Sequence, residues 1–353
     1  METIKFKLKI ATPLIISSGE QLTPLDYYIK SDRISKVNYC IIIDFEKFIE
    51  KVMNIYKNQY VVFAEEFLSA IGRNIKNNRF EKNIYELVSE IAQKNTNNNL
   101  LLGEKIFDDV TLFKFPTKEN DVKTQLDFTL LTNDGKPYIP GSSIKGALKT
   151  AIFYKILQEK YLEILQRNNE GQRDIIMDLN QKINFMVRET YLKNAEFEIF
   201  QIRRSRRDNK FDSSKKQDKM KLSSALFVIG GEGDLEIQYE NKINNFLGKK
   251  DFRSYLLEAI DEFYIGECAT KIYETFKLEV PKITDNRTHY IQIGKYGNIY
   301  TKSLQLLFKK DQKYNKIFET DKKKIKVVQP KTISYIEYNN QKVQPGWVEL
   351  TEV

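Results

Sequence analysis

Cysteine and histidine are nearly absent from this sequence, which contains two cysteines and one histidine among 353 residues. Cys40 and Cys268 lie far apart among apolar neighbours, so we expect two buried thiols rather than a disulfide framework or a zinc ribbon. With His289 as the single histidine, a transition-metal site built from the usual His and Cys ligands cannot be assembled. The sequence therefore predicts neither a metal nor another cofactor.

Long apolar runs are also missing from the chain. No stretch approaches the roughly 18 consecutive apolar residues that a membrane-spanning helix requires. The sequence begins directly with the alternating pattern of a strand, without a recognisable targeting segment. We therefore expect a soluble, cytoplasmic protein that does not bind a membrane.

Basic residues outnumber acidic ones by 57 to 48, and the formal net charge of +9 weakly favours an anionic partner. The excess is concentrated in two places. Residues 203–221 contain nine basic residues against three acidic ones, and residues 309–326 contain eight against three. Charge alone predicts RNA contact for the first cluster, and a solvated loop is the alternative. The arginines of that cluster are Arg203, Arg204, Arg206 and Arg207.

Strand-like and helical segments alternate irregularly along the chain. Apolar residues alternate with lysines over residues 4–10, which predicts a half-buried strand. Residues 44–94 have the apolar spacing of helices, and a hairpin is expected around the glycine-rich turn at 230–234. Because no regular βαβ series is present, the pattern predicts an α+β fold with two ferredoxin-like or RNA-recognition-type sheets.

Two domains are expected from this order of elements. Residues 1–192 form the first, with the helical insertion at about 44–94, and its last helix is expected to run to about residue 192. Residues 193–353 form the second, which carries the basic loop at 203–221 and a glycine-rich loop at 294–298.

The most informative segment is residues 138–151, Tyr-Ile-Pro-Gly-Ser-Ser-Ile-Lys-Gly-Ala-Leu-Lys-Thr-Ala. Pro140 and Gly141 end an extended stretch, and Ser142 or Ser143 can cap the helix that follows. The first backbone N–H groups of a helix have no partner within it, and the helix dipole attracts negative charge to this end. The segment therefore predicts an anion site.

Lys145 and Lys149 lie one turn apart on one face of this helix. With the first-turn N–H groups, they predict a site for the phosphates of a nucleic-acid backbone. The segment is not a nucleotide-binding P-loop, because Gly146 is followed by Ala147 and Leu148, where that motif needs lysine and then serine or threonine. An ordinary capped helix with lysines on its solvent side is the alternative interpretation.

A second glycine-bearing turn lies near the other end of the chain, where Gly294 and Gly297 flank Lys295 and Tyr296. Glycine lets backbone approach a ligand closely, lysine supplies charge and tyrosine supplies a stacking face. Lys302 follows in the same segment and is included in the predicted RNA contacts. A plain turn between two strands is the alternative.

We expect these two turns to form one RNA site, although about 150 positions separate them. Aspartate in place of Gly141 or Gly297 should then release RNA and leave the fold intact, because it would put a negative charge where phosphate binds.

Several segments of the chain resemble the repeat-associated mysterious proteins, the RAMP superfamily of CRISPR effector subunits. Residues 139–151 look like the family's entry to its first long helix, and residues 294–297 look like its C-terminal glycine-rich loop. Residues 12–27 are similar to the opening of the type III-A subunit at the head of the Csm complex, and residues 346–350 resemble that subunit's C-terminus.

This resemblance implies a protein of ferredoxin-like sheets that binds the 3′ part of CRISPR RNA (crRNA), caps the backbone of a type III-A interference complex and assists crRNA maturation without cutting RNA. It implies crRNA, target RNA, the adjacent RAMP backbone subunit, a small helical subunit and a host trimming nuclease as partners. The residues that match the family's RNA-contacting motifs are Gly141, Ser142, Ser143, Lys145, Lys149, Gly294, Lys295, Tyr296 and Gly297.

A second hypothesis is an endoribonuclease of the same superfamily that processes CRISPR repeat RNA. Such an enzyme needs a general acid or base near the scissile phosphate, and His289 lies just before the second glycine turn. A lone histidine on a strand is more often a packed or surface residue, so the noncatalytic binder is the preferred interpretation. A pure protein scaffold, the third hypothesis, would bind no RNA.

Overall fold

The computed structural model describes most of the chain. The described residues are 1–32, 34–76, 79–95, 105–117, 125–167, 173–206, 223–248, 251–283, 285–304, 306–307, 330 and 332–353. Arg207, the rest of the predicted basic loop and the basic cluster at 309–326 lie outside them. Within the described residues, no helix is both long enough and apolar enough to cross a bilayer.

The described residues contain strands from both ends of the sequence. The ten that form the large sheet are β1 (Glu2–Ile10), β2 (Ser17–Leu22), β8 (Leu126–Thr129), β10 (Phe185–Val187), β12 (Lys193–Arg206), β13 (Ser223–Tyr239), β14 (Thr288–Gln292), β15 (Thr332–Tyr338), β16 (Gln341–Val343) and β17 (Trp347–Glu352). The smaller sheets contain β3 (Tyr27–Ser31), β4 (Asn38–Ile43), β5 (Ile75–Lys76), β6 (Arg79–Phe80), β7 (Thr111–Thr117), β9 (Tyr138–Ile139) and β11 (Thr190–Tyr191).

The helices separate these strands along the chain. They are α1 (Phe45–Tyr56), α2 (Tyr60–Asn74), α3 (Ile84–Asn95), α4 (Gly141–Arg167), α5 (Arg173–Lys182), α6 (Lys242–Leu247), α7 (Phe252–Ile260), α8 (Thr270–Phe276) and α9 (Ile299–Lys302). A short 3₁₀ turn, Lys57–Gln59, links α1 to α2, and a π-helical segment, Asp261–Ala269, links α7 to α8. The mixture of helices with mainly antiparallel strands confirms the α+β class.

The large sheet joins both halves of the chain. Its order is β14-β17-β1-β13-β12-β15-β16, so β1 lies between two strands of the second half. The prediction of one sheet for each half is therefore wrong for the described residues. Sequence periodicity finds strands but not their partners, because pairing between distant segments leaves no local pattern. The division into 1–192 and 193–353 stays a prediction about folding units.

Alternation along β1 decides which face of the large sheet is buried. Its apolar side chains belong to the main core with side chains from α4, α7 and the π-helical segment. Its lysines face the opposite side, where acids of β13 stand across from them and Lys7 forms an ion pair with Asp234. Positive and negative side chains alternate on this open face, so it offers no concentrated charge to a polyanion.

Strand β13 continues through the glycines that the sequence placed in a hairpin turn. Gly230 and Gly231 both have positive φ, and the strand continues through them without reversing its direction. Strand β12 pairs with the first part of β13 and β1 with the second, so hydrogen bonds from two neighbours keep the chain extended. The predicted helix up to about residue 192 is also wrong, because α5 ends at Lys182 and β10 and β11 follow.

Helices occupy most of the predicted insertion at about 44–94. Asp44 accepts a hydrogen bond from the backbone N–H of Lys47 and caps α1, and helices α1, α2 and α3 fill most of the segment. The small sheet β3-β4-β7 packs one face against these helices and the other against β8, β12 and β13. The insertion is thereby attached to the large sheet through the small one.

Candidate nucleic-acid interface

The turn that begins α4 is held by two-residue strands. Strand β9 pairs with β11, Pro140 ends β9, and the carbonyl of Pro140 accepts a hydrogen bond from the N–H of Ser143 at 3.0 Å. Because the helix begins at Gly141, Ser142 and Ser143 lie inside its first turn and the predicted serine cap is wrong. Ser142 is exposed and Ser143 is partly exposed at the helix end.

Gly141 is buried against the protein's own backbone. A Cβ atom at this position would lie 2.0 Å from the carbonyl oxygen of Val187 in β10. Strand β10, rather than the predicted phosphate, therefore occupies the space that the missing side chain of Gly141 leaves. Gly146 differs, since it is exposed and a Cβ there would meet nothing within 4 Å.

Lys145 and Lys149 are partly exposed, and neutral groups hold both side chains. The ammonium of Lys145 donates to Oδ1 of Asn184 at 3.3 Å, and that of Lys149 donates to Oδ1 of Asn180 at 2.9 Å. Burial lowers the pKa of Lys149, and the nearby charge of Lys145 lowers it further. Within the described residues, neither ammonium forms an ion pair with a carboxylate, and two like charges of this kind attract a phosphate.

The turn Ile293–Asn298, which we call the Gly294 turn, is anchored on a buried carboxylate. Asp127 in β8 is 4% exposed, and its Oδ1 lies 2.8 Å from the ammonium of Lys295. The hydroxyl of Tyr296 donates to Oδ2, and Gln21 donates to Oδ1 at 2.7 Å. Burial alone raises the pKa of Asp127, but the bonds from Lys295, Tyr296 and Gln21 hold it below its usual value.

These contacts change the role expected for Lys295 and Tyr296. The Tyr296 ring packs near Phe227 with centroids 5.9 Å apart, and its hydroxyl is occupied by Asp127, so it is not the free stacking face that the sequence suggested. A Cβ on Gly294, which has φ +90°, would lie 2.5 Å from the carbonyl oxygen of Ile15. Both side chains and this glycine hold the turn in place.

Three of the segments that carry the family resemblance meet at this turn. The N–H of Lys295 donates to Ile15, that of Ile293 donates to Gly346, and that of Gly346 donates to Pro13, all at 2.9–3.0 Å. The N-terminal segment, the Gly294 turn and the C-terminal strand therefore form one junction. The residues that match the family here hold these three segments together.

The helices that follow the two glycine turns also meet. Tyr264, in the π-helical segment, has its hydroxyl 3.2 Å from the carbonyl of Ala147 in α4 and 3.5 Å from that of Thr301 in α9. One buried hydroxyl thus links helices about 150 positions apart in sequence. The sequence did not predict the roles of Tyr264 and Asp127. Each is a polar group within an apolar stretch, and this was the one feature of the sequence that could have drawn attention to it.

The remaining predicted contacts are distributed more widely. Lys302 donates to the carbonyl of Lys295 at 3.2 Å, and a Cβ on Gly297 would lie 2.7 Å from Cε of Lys302. Arg203 forms an ion pair with Glu337 of β15. Arg203, Arg204 and Arg206 belong to the end of strand β12, so the predicted basic loop begins later than expected. Arg207 lies outside the described residues.

His289 is buried rather than presented to a substrate. It is 4% exposed, with Nδ1 2.8 Å from Asp261 and Nε2 3.6 Å from Glu352. Burial alone lowers the pKa of His289, but the two carboxylates raise it above its usual value. The ring joins β14 to the π-helical segment. Cys40 and Cys268 are buried thiols, as predicted, and burial raises the pKa of Cys40 to about 12.

We expect Asp127→Asn to lower the free energy of unfolding by about 1–3 kcal/mol at pH 7, because it weakens charge-assisted hydrogen bonds in a buried place. Because folding lowers the pKa of Asp127, its carboxylate stabilises the fold at pH values above the unfolded-state pKa of about 4. This stabilisation is lost as the pH falls through the folded-state pKa. Urea denaturation measures the free energy of unfolding of both proteins at pH 7 and at pH 3. The difference between Asp127→Asn and the unsubstituted protein should be smaller at pH 3.

Asp134→Asn is the matched control for this prediction. Asp134 pairs with Lys136 at the surface, where an ion pair contributes little. Equal effects at the two positions would mean that the Asp127 network does not hold the Gly294 turn.

Comparison with known proteins supports the family resemblance. The RAMP superfamily profile matches residues 7–299, and the chain belongs to this superfamily. A relative is the CRISPR system protein Csm5 of Methanocaldococcus jannaschii, 23% identical over 404 residues that cover 99% of this chain and 89% of that protein. The predicted recognition as a RAMP-superfamily protein similar to the type III-A Csm subunit is confirmed.

Two solved structures share the fold. One is a chain of the cryo-EM structure of a Csm-crRNA-target RNA ternary complex of a type III-A CRISPR-Cas system, with a TM-score of 0.60, 20% identity and coverage of 99% of this chain and 100% of that chain. The other is the crystal structure of Csm5 of T. onnurineus, with a TM-score of 0.58, 16% identity and coverage of 97% and 99%.

Proposed function

We propose that this protein is a noncatalytic crRNA-binding subunit that caps the backbone of a type III-A CRISPR complex, holds the 3′ part of the crRNA and assists its maturation in the cytoplasm. Its partners would be crRNA, target RNA, the adjacent RAMP backbone subunit, the small helical subunit and a trimming nuclease. Membership of the RAMP superfamily and similarity to Csm5 support this proposal.

The observation that carries the RNA-binding role is the lysine pair on α4. Lys145 and Lys149 are held by asparagine side chains, lie on the second and third turns of a long helix and have the exposed residues Ser142 and Gly146 near them. Neutral partners leave both charges available to a phosphate. The lysines of β1, in contrast, stand opposite acids on the open sheet face.

RNA binding by the purified protein tests this proposal. Fluorescence anisotropy with a single-stranded RNA should give an affinity that depends little on sequence, and its logarithm should fall with log salt at about 0.7 per neutralised phosphate. An RNA affinity that does not change with salt concentration would contradict binding through the phosphates. Absence of binding would reject the whole function and favour a protein scaffold.

The endoribonuclease alternative rests on His289, which the fold buries between two carboxylates. A general acid or base must reach the proton that it transfers, and this ring is enclosed in the interface between sheet and helix. Incubation with CRISPR repeat RNA should therefore leave the RNA uncut. Discrete products that disappear in His289→Ala would establish the alternative.

A subunit of a larger complex also needs a surface for its protein neighbours, and the helical insertion offers one. Phe45, Ile49 and Met53 follow one another at four-residue spacing along α1, and each is exposed. Val61, Val62 and Leu68 of α2 are exposed as well. Apolar side chains grouped in this way are typical of protein–protein contacts.

We expect Ile49→Glu with Met53→Glu to reduce assembly with the adjacent protein subunits at least tenfold, because two charges would have to be buried at the contact. RNA affinity and thermal stability should stay unchanged, since both side chains are exposed. Native mass spectrometry of the reconstituted complex measures the result. Ile34→Glu, at an exposed position outside the insertion, is the control, and intact assembly in the double variant would place the subunit contact elsewhere.

A further inference from the structure

Two tyrosines pair across the two short strands that hold the start of the lysine-bearing helix. Tyr138 of β9 and Tyr191 of β11 stand opposite each other across the strand pair, with ring centroids 6.0 Å apart and an angle of 29° between the rings. Tyr191 is 56% exposed and Tyr138 is partly exposed. The neighbouring residues Ile139 and Thr190 face inward and are fully buried.

We propose that Tyr138 and Tyr191 form a stacking platform for a base of the RNA whose phosphates contact Lys145 and Lys149, an inference that rests on the proposed function. Aromatic faces bind single-stranded nucleic acid without regard to sequence, because every base has a π-face. Tyr296, the tyrosine that the sequence favoured for this role, is tied to Asp127. The exposed pair supplies the aromatic surface that the Gly294 turn does not.

The position of the pair suits a base next to a bound phosphate. Tyr138 precedes Gly141 by three residues, and three residues of extended chain span at most about 10–11 Å. The pairing of β9 with β11 is fixed on both sides of the two tyrosines. Thr190 pairs with Ile139 on one side, and the N–H of Leu192 donates to the carbonyl of Pro137 at 3.1 Å on the other. The rings are therefore held at a constant place relative to the start of α4.

The charges around the pair also favour a base over a phosphate at this point. The Tyr191 hydroxyl donates to Oε2 of Glu189 at 3.1 Å, which orients the ring and places a carboxylate at its edge. A phosphate would be repelled there, whereas a neutral base would not. The phosphates would instead lie towards the lysine pair of α4, where asparagine amides are the partners.

The test compares Tyr191→Ala with Tyr273→Ala, which removes another exposed tyrosine on α8. Binding of a single-stranded RNA should weaken roughly tenfold in Tyr191→Ala and not in the control, and Tyr191→Trp should restore it. The salt dependence of binding should be the same as in the unsubstituted protein, because no charge is removed. RNA containing 4-thiouridine should crosslink to a peptide that includes residue 138 or 191.

Each other result has a definite meaning. If the unsubstituted protein binds RNA and Tyr191→Ala binds equally well, the platform is rejected while the proposed function stands. The same holds if Tyr191→Ala only lowers stability, as a cross-strand packing pair would, or only blocks contact with another protein subunit. If the unsubstituted protein binds no RNA, the proposed function fails and the platform fails with it.

Discussion

Replacement of Gly141 by alanine is expected to lower the free energy of unfolding by about 3 kcal/mol, because a Cβ would stand 2.0 Å from the carbonyl oxygen of Val187. Backbone cannot yield as a flexible side chain can, so α4 would have to move away from β10. Gly146→Ala on the same helix is expected to raise the free energy of unfolding by about 0.5–1 kcal/mol, since its Cβ would enter open space.

Urea denaturation of the two alanine variants measures this difference directly. A Gly141→Ala protein as stable as the unsubstituted one would mean that β10 does not approach the start of α4 so closely. The comparison also shows which glycine variants can test RNA binding. Gly141→Asp would disturb the fold, so a loss of RNA binding in this variant would not show that a phosphate binds at Gly141. Gly146→Asp and Gly297→Asp are better probes, since the first faces open space and the tightest contact of the second, at 2.7 Å, is with the flexible end of Lys302.

Charge reversal of the lysine pair, Lys145→Glu with Lys149→Glu, is expected to weaken binding of every single-stranded RNA roughly a hundredfold. Each lysine would lose a charge-assisted contact with a phosphate and gain a repulsion in its place. If each neutralises one phosphate, the salt slope should fall by about 1.4. The fold should persist, because both lysines are partly exposed and their side-chain hydrogen bonds go to neutral oxygens rather than to carboxylates.

Lys114→Glu with Lys271→Glu is the charge-matched control, since it changes the net charge equally at positions on β7 and α8. Anisotropy titrations at several salt concentrations give both the affinity and the slope. An equal loss in the two double variants would show that net charge, rather than a site on α4, attracts the RNA. A loss confined to one RNA sequence would mean that the lysines read bases.

Local periodicity predicted several elements of the fold correctly. The long helix after Pro140 and the helices at about 44–94 follow from apolar spacing and turn residues within each segment. The single sheet that joins both halves could not be predicted in this way. Its pairing of β1 with β13 and β17 connects residues more than 200 positions apart, and distant hydrogen bonds leave no repeating pattern in either segment.

The sequence also predicted one part of the candidate site and not the other. Lys145 and Lys149 are one turn apart in any helix that contains them, so the sequence could place them on one face. The position of Lys295 and Tyr296 depends on Asp127, which is 169 positions from Tyr296 and gives no sign of that contact in the sequence. The RNA contacts predicted at both turns stay a prediction, and the charge reversal above tests the first of them.

The sequence by itself determined the superfamily, the α+β class and the lysine-bearing helix, because each depends on residues that are near one another in the chain. The tertiary structure alone decided what fills the space beside each glycine. A missing side chain looks the same in a sequence whether a phosphate or the protein's own carbonyl occupies its place. At Gly141 and Gly294 a carbonyl of the chain itself lies there, and at Gly146 the space is open.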